Sequence, residues 1–159
     1  MKPADAANAE PMLTRRLTGS KDKASNYEVL LVEDNLVNQK VLGKQLKKVG
    51  CVVHVANHGG EALSFLKTSN LWRDNAKGQT LDIVLMDLEM PVMDGLTCAR
   101  QIRELQSQGT LTRHVPIIAV TANARKEQIE ISMAAGMVSH NHSHNTNRTH
   151  CFPIPFDSK

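Results

Sequence analysis

Acidic side chains follow two strongly apolar stretches of the sequence. Glu33 and Asp34 come directly after residues 29–32, and Asp87 comes directly after residues 83–86. In an open parallel α/β sheet the carboxyl ends of neighbouring strands meet at one edge, so we expect these three carboxylates to share a crevice. Like charges this close stay ionised together only with a cation among them, and hard oxygen ligands favour Mg²⁺. The sequence therefore predicts an acidic Mg²⁺ pocket; the alternative is that these acids only cap the next helix.

A hydroxyl group is expected to face the same crevice. Thr121 ends a further apolar stretch, where its side chain could donate to an anionic oxygen, and Ala122 beside it leaves space for a ligand. Together with the carboxylates, these residues predict a site that briefly holds a phosphoryl group, which needs positioning, a metal and hydrogen bonds. An aspartate can itself be the nucleophile and form an aspartyl phosphate.

Short aliphatic runs that alternate with helical periodicity are expected to position these residues. The predicted strands span residues 29–32, 51–56, 83–86 and 115–120. The first helix carries apolar residues at helical spacing, namely Leu36, Val37, Val41, Leu42, Leu46 and Val49. The second helix is predicted over residues 60–66, and a polar loop follows over residues 67–80. The third helix is predicted to begin at Asp94 and Gly95, and the fourth helix to span residues 125–135. This alternation predicts an α/β fold with a parallel sheet in four βα units.

Composition excludes several classes of protein. A chain of 159 residues, 41% of them hydrophobic, suits one compact domain. Residues 27–137 carry twelve basic and twelve acidic side chains, and aromatic residues make up only 3% of the chain, so direct nucleic-acid binding is disfavoured. We find no signal peptide and no membrane segment, and three cysteines without a CxxC spacing indicate a reduced intracellular setting.

The two ends of the chain lack the periodicity of its centre. Residues 1–26 are rich in Ala, Asn, Lys, Asp and Ser, and we expect a disordered leader or linker there. Residues 138–159 show no strand or helix period, and Pro153 and Pro155 oppose both, so we expect an irregular His-rich tail. The predicted folded domain is therefore residues 27–137.

Three motifs and a short fourth carry a family resemblance. They are YEVLLVEDNLVNQKVLGKQLKKVG from Tyr27, LDIVLMDLEMPVMDGL from Leu81, VPIIAVTANA from Val115, and MAAGM. In this order and spacing they resemble the receiver domain of response regulators, especially the receivers of fungal hybrid histidine kinases. The resemblance covers residues 27–137 and implies a flavodoxin-like fold, a doubly wound parallel sheet truncated here to four βα units.

The resemblance also implies roles for individual residues. It makes Asp87 the phosphoacceptor, with Mg²⁺ held by Glu33, Asp34, Asp87 and the backbone carbonyl of Glu89. Thr121 matches the switch residue. The pocket rim corresponds to Pro91, Asp94, Gly95 and Ala122. The implied partner is a histidine kinase or a histidine phosphotransfer protein that donates phosphate from a phosphohistidine, and the expected location is the cytoplasm, with the nucleus as an alternative.

The sequence departs from the family pattern after Met137. Family members continue with a fifth strand that ends in Lys-Pro and with a fifth helix. The lysine position would fall near Ser143, but no lysine occurs between Lys126 and Lys159. Loss of these elements makes the fourth strand an edge and uncovers apolar surface.

The tail itself allows two interpretations. Its alternating histidines, His140, His142 and His144, are able to chelate a metal, although a functional site also needs ordered supporting contacts. Alternatively, its apolar end, Cys151, Phe152, Ile154 and Phe156, folds over the uncovered sheet face.

Three classes of function follow from this comparison. The leading one is a phosphoacceptor signalling module of a two-component phosphorelay, and not an enzyme. The alternatives are a degenerate pseudo-receiver that only binds other proteins, or a non-functional truncated product. A phosphatase of the haloacid dehalogenase type is disfavoured, because its nucleophile lies on the first strand with a lysine downstream.

Overall fold

The computed structural model describes residues 27–121 and 125–138. The elements are, in chain order, β1 (Glu28–Val32), α1 (Leu36–Lys48), β2 (Val52–Ala56), α2 (Gly59–Thr68), β3 (Ile83–Asp87), α3 (Gly95–Ser107), β4 (Ile117–Val120) and α4 (Lys126–Ala134). Each strand is followed by a helix, so the predicted α/β fold in four βα units is confirmed.

The strands form one parallel sheet in the order β2-β1-β3-β4. This is the order of the first four strands of a flavodoxin-like fold, in which the chain direction across the sheet reverses between β1 and β3. Leu31 pairs with Val55 on one side and with Leu85 on the other. The carboxyl ends of β1 and β3 are therefore neighbours, and the crevice beyond them lies at the reversal point.

Alternate strand residues build two cores, one on each face of the sheet. Leu30, Val32, Val84 and Met86 pack with Ala62 and Leu66 of α2 and with Ala99 and Ile102 of α3, all nearly inaccessible to solvent. On the opposite face, Val29, Leu31 and Leu85 pack with Leu46 of α1. The period of two along each strand thus assigns successive side chains to different helices.

The apolar residues of α1 do not form one buried face. Only Leu42 and Leu46 pack against the sheet. The other four apolar positions are exposed, with solvent-accessible fractions of 63% for Leu36, 67% for Val37, 50% for Val41 and 69% for Val49. Residues 42 and 46 define the side of the helix that meets the strands, and the other apolar positions lie away from it.

The segment predicted as a polar loop is partly packed into the core. Helix α2 continues to Thr68, and Leu71 is fully buried two residues after Ser69, at the end of that helix. Bridges join Ser69 to Gln79 and Trp72 to Leu111. Burial of one leucine and local backbone pairing therefore override the polar composition of the segment.

Helix α4 is fastened at its C-terminal end by an arginine from α3. The Arg103 guanidinium donates from Nε to the Gly136 carbonyl at 3.0 Å, from Nη2 to the same oxygen at 2.6 Å, and from Nη1 to the Val115 carbonyl at 2.9 Å. Gly136 adopts φ +81°, and a Cβ there would lie 2.8 Å from Arg103 Nε. The arginine thus places a positive charge at the negative end of the α4 dipole and links it to the start of β4.

Replacement of Arg103 should test this fastening. We expect Arg103→Met to lower the free energy of unfolding by about 3 kcal/mol, because half-buried carbonyl oxygens lose charged hydrogen-bond donors. Arg100→Met is the matched control, since Arg100 lies exposed on the same helix. Urea unfolding measures both. Equal effects of the two substitutions would contradict the assigned role of Arg103.

Candidate functional site

Three carboxylates meet at the carboxyl ends of β1 and β3. Glu33 and Asp34 directly follow β1, and Asp87 is the last residue of β3. One carboxylate oxygen from each residue lies within 4.8 Å of the other two. The structure thus brings together the three acids that the sequence predicted to share a crevice, at the point where the strand order reverses.

Glu33 is the most tightly held of the three acids. It is buried, with 4% of its surface exposed. Its Oε1 accepts from the Asn35 backbone N–H at 3.1 Å and from Asn38 Nδ2 at 3.3 Å. Its own N–H donates to the Ala56 carbonyl at 3.0 Å, and its carbonyl accepts from Gln39 Nε2 at 2.5 Å. These contacts fix the position of the buried Glu33 side chain and backbone.

Sequence reasoning missed the residues that hold Glu33. Asn35 is the N-cap of α1, and its side chain accepts from the backbone N–H groups of Val37 at 2.9 Å and Asn38 at 3.2 Å. An asparagine directly before a helical stretch is a signal for such a cap. No comparable signal existed for Asn38 and Gln39, because their contacts depend on how the first turn of α1 is positioned against the strand ends.

Asp87 is half-buried, and burial raises the pKa of its carboxyl above the ordinary value. The Glu89 backbone N–H, which donates to Asp87 Oδ1 at 3.3 Å, lowers this pKa again, and the nearby Glu33 carboxylate raises it. The charged form of Asp87 is therefore disfavoured in this pocket without a cation.

The loop between β3 and α3 is shaped by close backbone approach. A Cβ on Gly95 would lie 2.1 Å from the Asp87 carbonyl oxygen, so this position requires glycine. Asp94 caps α3, with Oδ1 accepting from the Thr97 N–H at 2.8 Å. This contact lowers the pKa of the Asp94 carboxyl. Val92 has a φ of +68°, inside a turn closed by a 2.8 Å bond from the Met93 N–H to the Pro91 carbonyl.

The other predicted site residues lie around this loop and the end of β4. Val120 pairs with Asp87, so Thr121 follows one residue beyond Asp87 on the neighbouring strand, and it is partly buried. Glu89 is exposed, and its Oε1 accepts from Gln128 Nε2 of α4 at 3.4 Å. Pro91 is exposed, whereas Ala122 lies outside the described residues.

The sequence profile of the response regulator receiver domain matches residues 29–140. The chain belongs to the receiver-domain family. This match spans well over half of the chain and includes all eight elements except the first residue of β1, so the predicted resemblance is confirmed. The receiver domain is the phosphoacceptor module of two-component phosphorelay systems, and its members are signalling domains rather than classical enzymes.

Similarity to individual proteins agrees with this assignment. Two-component system protein A of Emericella nidulans is 37% identical over 133 residues, which is 83% of this chain but 17% of that protein. The chain spans between 3% and 17% of the length of the curated relatives it matches. Those relatives are therefore much longer proteins of which this chain resembles one part.

Solved receiver structures share the fold. One is the receiver domain of Ssk1 from Saccharomyces cerevisiae in complex with the histidine phosphotransfer protein Ypd1, with 30% identity, a TM-score of 0.59, and coverage of 76% of this chain and 81% of that one. Another is the receiver domain of the histidine kinase CKI1 from Arabidopsis thaliana with Mg²⁺ and BeF₃⁻, with 33% identity, a TM-score of 0.59, and coverage of 70% and 76%. Both similarities confirm the flavodoxin-like fold.

The helices give no indication of a transmembrane segment. Within residues 27–121 and 125–138, none of them is both long and apolar enough to cross a bilayer.

Neutralisation of Asp87 should stabilise the metal-free domain. Since burial raises the pKa of Asp87 in the folded state, its contribution to stability is fully present below the unfolded-state pKa and is lost as pH rises through the folded-state pKa. We therefore expect Asp87→Asn to raise the melting temperature at pH 7 in the presence of a chelator, and this gain to disappear at strongly acidic pH. Thermal melts across pH measure both. A lower melting temperature for Asp87→Asn at pH 7 would contradict this view of the pocket.

Proposed function

We propose that this receiver domain accepts a phosphoryl group from a phosphohistidine onto Asp87. The observation that carries the proposal is the meeting of three carboxylates at the ends of β1 and β3, with Asp87 only half-buried and hence accessible to a donor. A purely structural cluster of like charges would gain nothing from this proximity, since each charge raises the free energy of the others.

The transfer is a displacement at phosphorus. A carboxylate oxygen of Asp87 attacks, a P–O bond to Asp87 forms, the P–N bond of the phosphohistidine breaks, and the imidazole leaves with the bonding electron pair. The attacking oxygen must be ionised, which its raised pKa opposes. A cation in the pocket would favour the ionised form. The reaction also requires placement of the nucleophile, and the Glu89 N–H bond to Asp87 and the β3–α3 loop supply it.

The residues of the pocket fit Mg²⁺. All three converging side chains offer hard oxygen donors, and Glu33 is buried and fixed by amide donors, which suits a carboxylate that serves a cation. In the proposal Glu33, Asp34, Asp87 and the backbone carbonyl of Glu89 hold the ion. When bound, Mg²⁺ would lower the pKa of Asp87 and neutralise the charge of the phosphoryl oxygens.

The remaining site residues are proposed to shape the pocket and report its state. The Thr121 hydroxyl donates to a phosphoryl oxygen, and Ala122 leaves room for it. Pro91, Asp94 and Gly95 form the rim, supported by the requirement for glycine beside the Asp87 carbonyl and by the Asp94 cap on α3. A shift of Thr121 would be passed to α4, whose Gln128 side chain contacts Glu89 beside the pocket.

The absence of the family's lysine concerns the response to phosphorylation and not the acceptance of the phosphoryl group by Asp87. The three carboxylates, including the proposed nucleophile Asp87, lie at the ends of β1 and β3, so the proposed chemistry of acceptance needs no residue from a fifth strand. A phosphorylated state without a lysine partner would be stabilised less. For this reason a pseudo-receiver that binds partners without responding is the second candidate function.

Phosphorylation assays should test whether Asp87 accepts a phosphoryl group. We expect radiolabelled phosphate from a small phosphodonor such as acetyl phosphate to label the chain in the presence of Mg²⁺, because the nucleophile and the acidic ligands are all present. Asp87→Asn should abolish labelling, and Asp34→Asn should slow it and raise the Mg²⁺ concentration required. Asp74→Asn is the control, since Asp74 is an exposed carboxylate outside the pocket. Labelling of Asp87→Asn equal to that of the parent would exclude Asp87 as acceptor.

The outer stripe of α1 supports a protein donor for the phosphoryl group. This stripe consists of Val37, Val41, Lys44 and Lys48, which are exposed and spaced so that they share one side of the helix. Its apolar end begins three residues after Asp34, so it adjoins the pocket. We propose that a histidine phosphotransfer protein or histidine kinase docks there, with apolar contacts near the pocket and acidic groups opposite the lysines.

Two valines at opposite ends of α1 give a matched test. Val37 and Val49 are nearly equally exposed, at 67% and 69%, but only Val37 adjoins the pocket. We expect Val37→Gln to slow phosphotransfer from a phosphorylated histidine phosphotransfer protein about tenfold, the effect of a lost contact of roughly 1.4 kcal/mol. Val49→Gln should have no effect, and acetyl phosphate should label both variants at the parental rate. Equal transfer rates for Val37→Gln and Val49→Gln would contradict docking at this stripe.

A further inference from the structure

One face of the sheet is covered unevenly. On the side that carries α1, each strand contributes apolar residues: Val53 and Val55 from β2, Val29 and Leu31 from β1, Ile83 and Leu85 from β3, and Ile118 and Val120 from β4. Among the described helices only α1 lies on this side, and it contacts β2 more than any other strand. Over β3 and β4, Ile83, Ile118 and Val120 are only partly buried, although Leu85 is buried. Because α1 contacts these two strands less than it contacts β2, we call this part of the face the bare half.

The chain leaves the described part of the structure at the margin of this bare half. The Val138 N–H donates to the Ile117 carbonyl at 2.7 Å, and the Ala119 N–H donates to the Val138 carbonyl at 3.2 Å. These two bonds pair Val138 with Ile118 in parallel on the outer edge of β4. Met137 packs in the core on the opposite face, whereas Val138 shares the face of Ile118. The side chains of these two residues therefore alternate between the faces, as in a strand.

We propose that the C-terminal segment, residues 139–159, covers the bare half of this face. Residues 139–150 continue from the β4 edge as a polar connection, and residues 151–156 lie on the apolar surface formed by Ile83, Ile118 and Val120. The segment thereby supplies the second cover that α1 alone does not provide.

The composition of the segment suits this arrangement. Residues 139–150 read SHNHSHNTNRTH and contain no aliphatic or aromatic residue, whereas residues 151–156 read CFPIPF. Two of the three phenylalanines of the chain lie in this six-residue stretch. Pro153 and Pro155 favour an extended backbone and remove two N–H donors that would be costly to bury. The stretch can therefore lie on an apolar surface without a partner strand.

The length of the segment is also sufficient. Neighbouring strands are about 4.8 Å apart, so the distance across the face from β4 to β2 is about 15 Å. Thirteen residues lead from Val138 to Cys151, and an extended chain of this length spans up to about 43 Å. The connection thus reaches any point of the bare half with slack to turn back over it.

The C-terminal segment is a better candidate than the N-terminal segment to cover the bare half, because of where each segment joins the sheet. The N-terminal segment joins the sheet at Tyr27, whose carbonyl accepts from the Val52 N–H of β2 at 2.9 Å. Helix α1 packs on that side of the face. Val138 leaves beside β4, where the cover is missing.

Substitutions in the full chain test the proposal against a matched control. The triple variant Phe152→Ser, Ile154→Ser and Phe156→Ser should lower the melting temperature by about 5 °C or more and increase the fluorescence of the apolar dye ANS, because the bare face becomes exposed to water. The control is the triple variant Met12→Ser, Leu13→Ser and Leu17→Ser, which removes the same number of large apolar residues from the N-terminal segment. An unchanged melting temperature and dye signal in the C-terminal variant, or an equal change in both variants, would overturn the proposal.

A spin label identifies the occupant even if the triple variant fails to fold. The label is attached to Cys151 in a Cys51→Ser background, where Cys98 is fully buried and unreactive. It should broaden the NMR signals of Ile83, Ile118 and Val120 more than those of Ala62, Leu66 and Ile102, which pack on the opposite face. The broadening should be absent when spin-labelled chains without ¹⁵N are mixed with unlabelled ¹⁵N chains. Broadening in the mixed sample assigns the face to a second copy, and no selective broadening leaves the segment off the face; either result refutes the proposal.

Discussion

Parallel pairing between β1 and β3 is the constraint on which the site depends. The hydrogen bonds of this strand pair bring Glu33, Asp34 and Asp87 within a few ångströms of one another against their electrostatic repulsion. The repulsion is tolerated because the sheet is held together elsewhere, by nearly inaccessible apolar residues on both faces of the same two strands. The apolar cores thus offset the electrostatic cost of bringing three acidic side chains together.

Local backbone contacts then give each acid a different environment. Glu33 is enclosed by the first turn of α1, where an N-cap asparagine and two further amides fix its position. Asp87 stays accessible. Helix α3 begins so close to the Asp87 carbonyl that only a glycine fits at position 95. Burial and hydrogen bonding thus give the two carboxylates different surroundings, with Glu33 fixed and buried and Asp87 half-buried.

Among the residues that the structure describes, more helices pack on one face of the sheet than on the other. Helices α2 and α3 lie over a dense core, whereas α1 covers part of the opposite face and leaves several of its own apolar residues in solvent. Helix α4 buries little more than Ser132 and is fastened near its C-terminal end through Arg103. The N-terminal end of α4 lies near the pocket, where Gln128 contacts Glu89. The end of the helix closest to Asp87 is therefore the less firmly held one.

The sequence by itself determined the βα order, the central strands and the three site acids, because buried parallel strands are continuous apolar runs and the residues after them lie at one edge. It also determined the family, through motifs that occur in one order and spacing. Only the tertiary structure decided that Leu36, Val37, Val41 and Val49 face solvent, that Leu71 of the predicted loop is buried, and that Asn38 and Gln39 hold Glu33. Periodicity shows that a helix has an apolar side, but which positions are buried depends on where neighbouring elements pack against it.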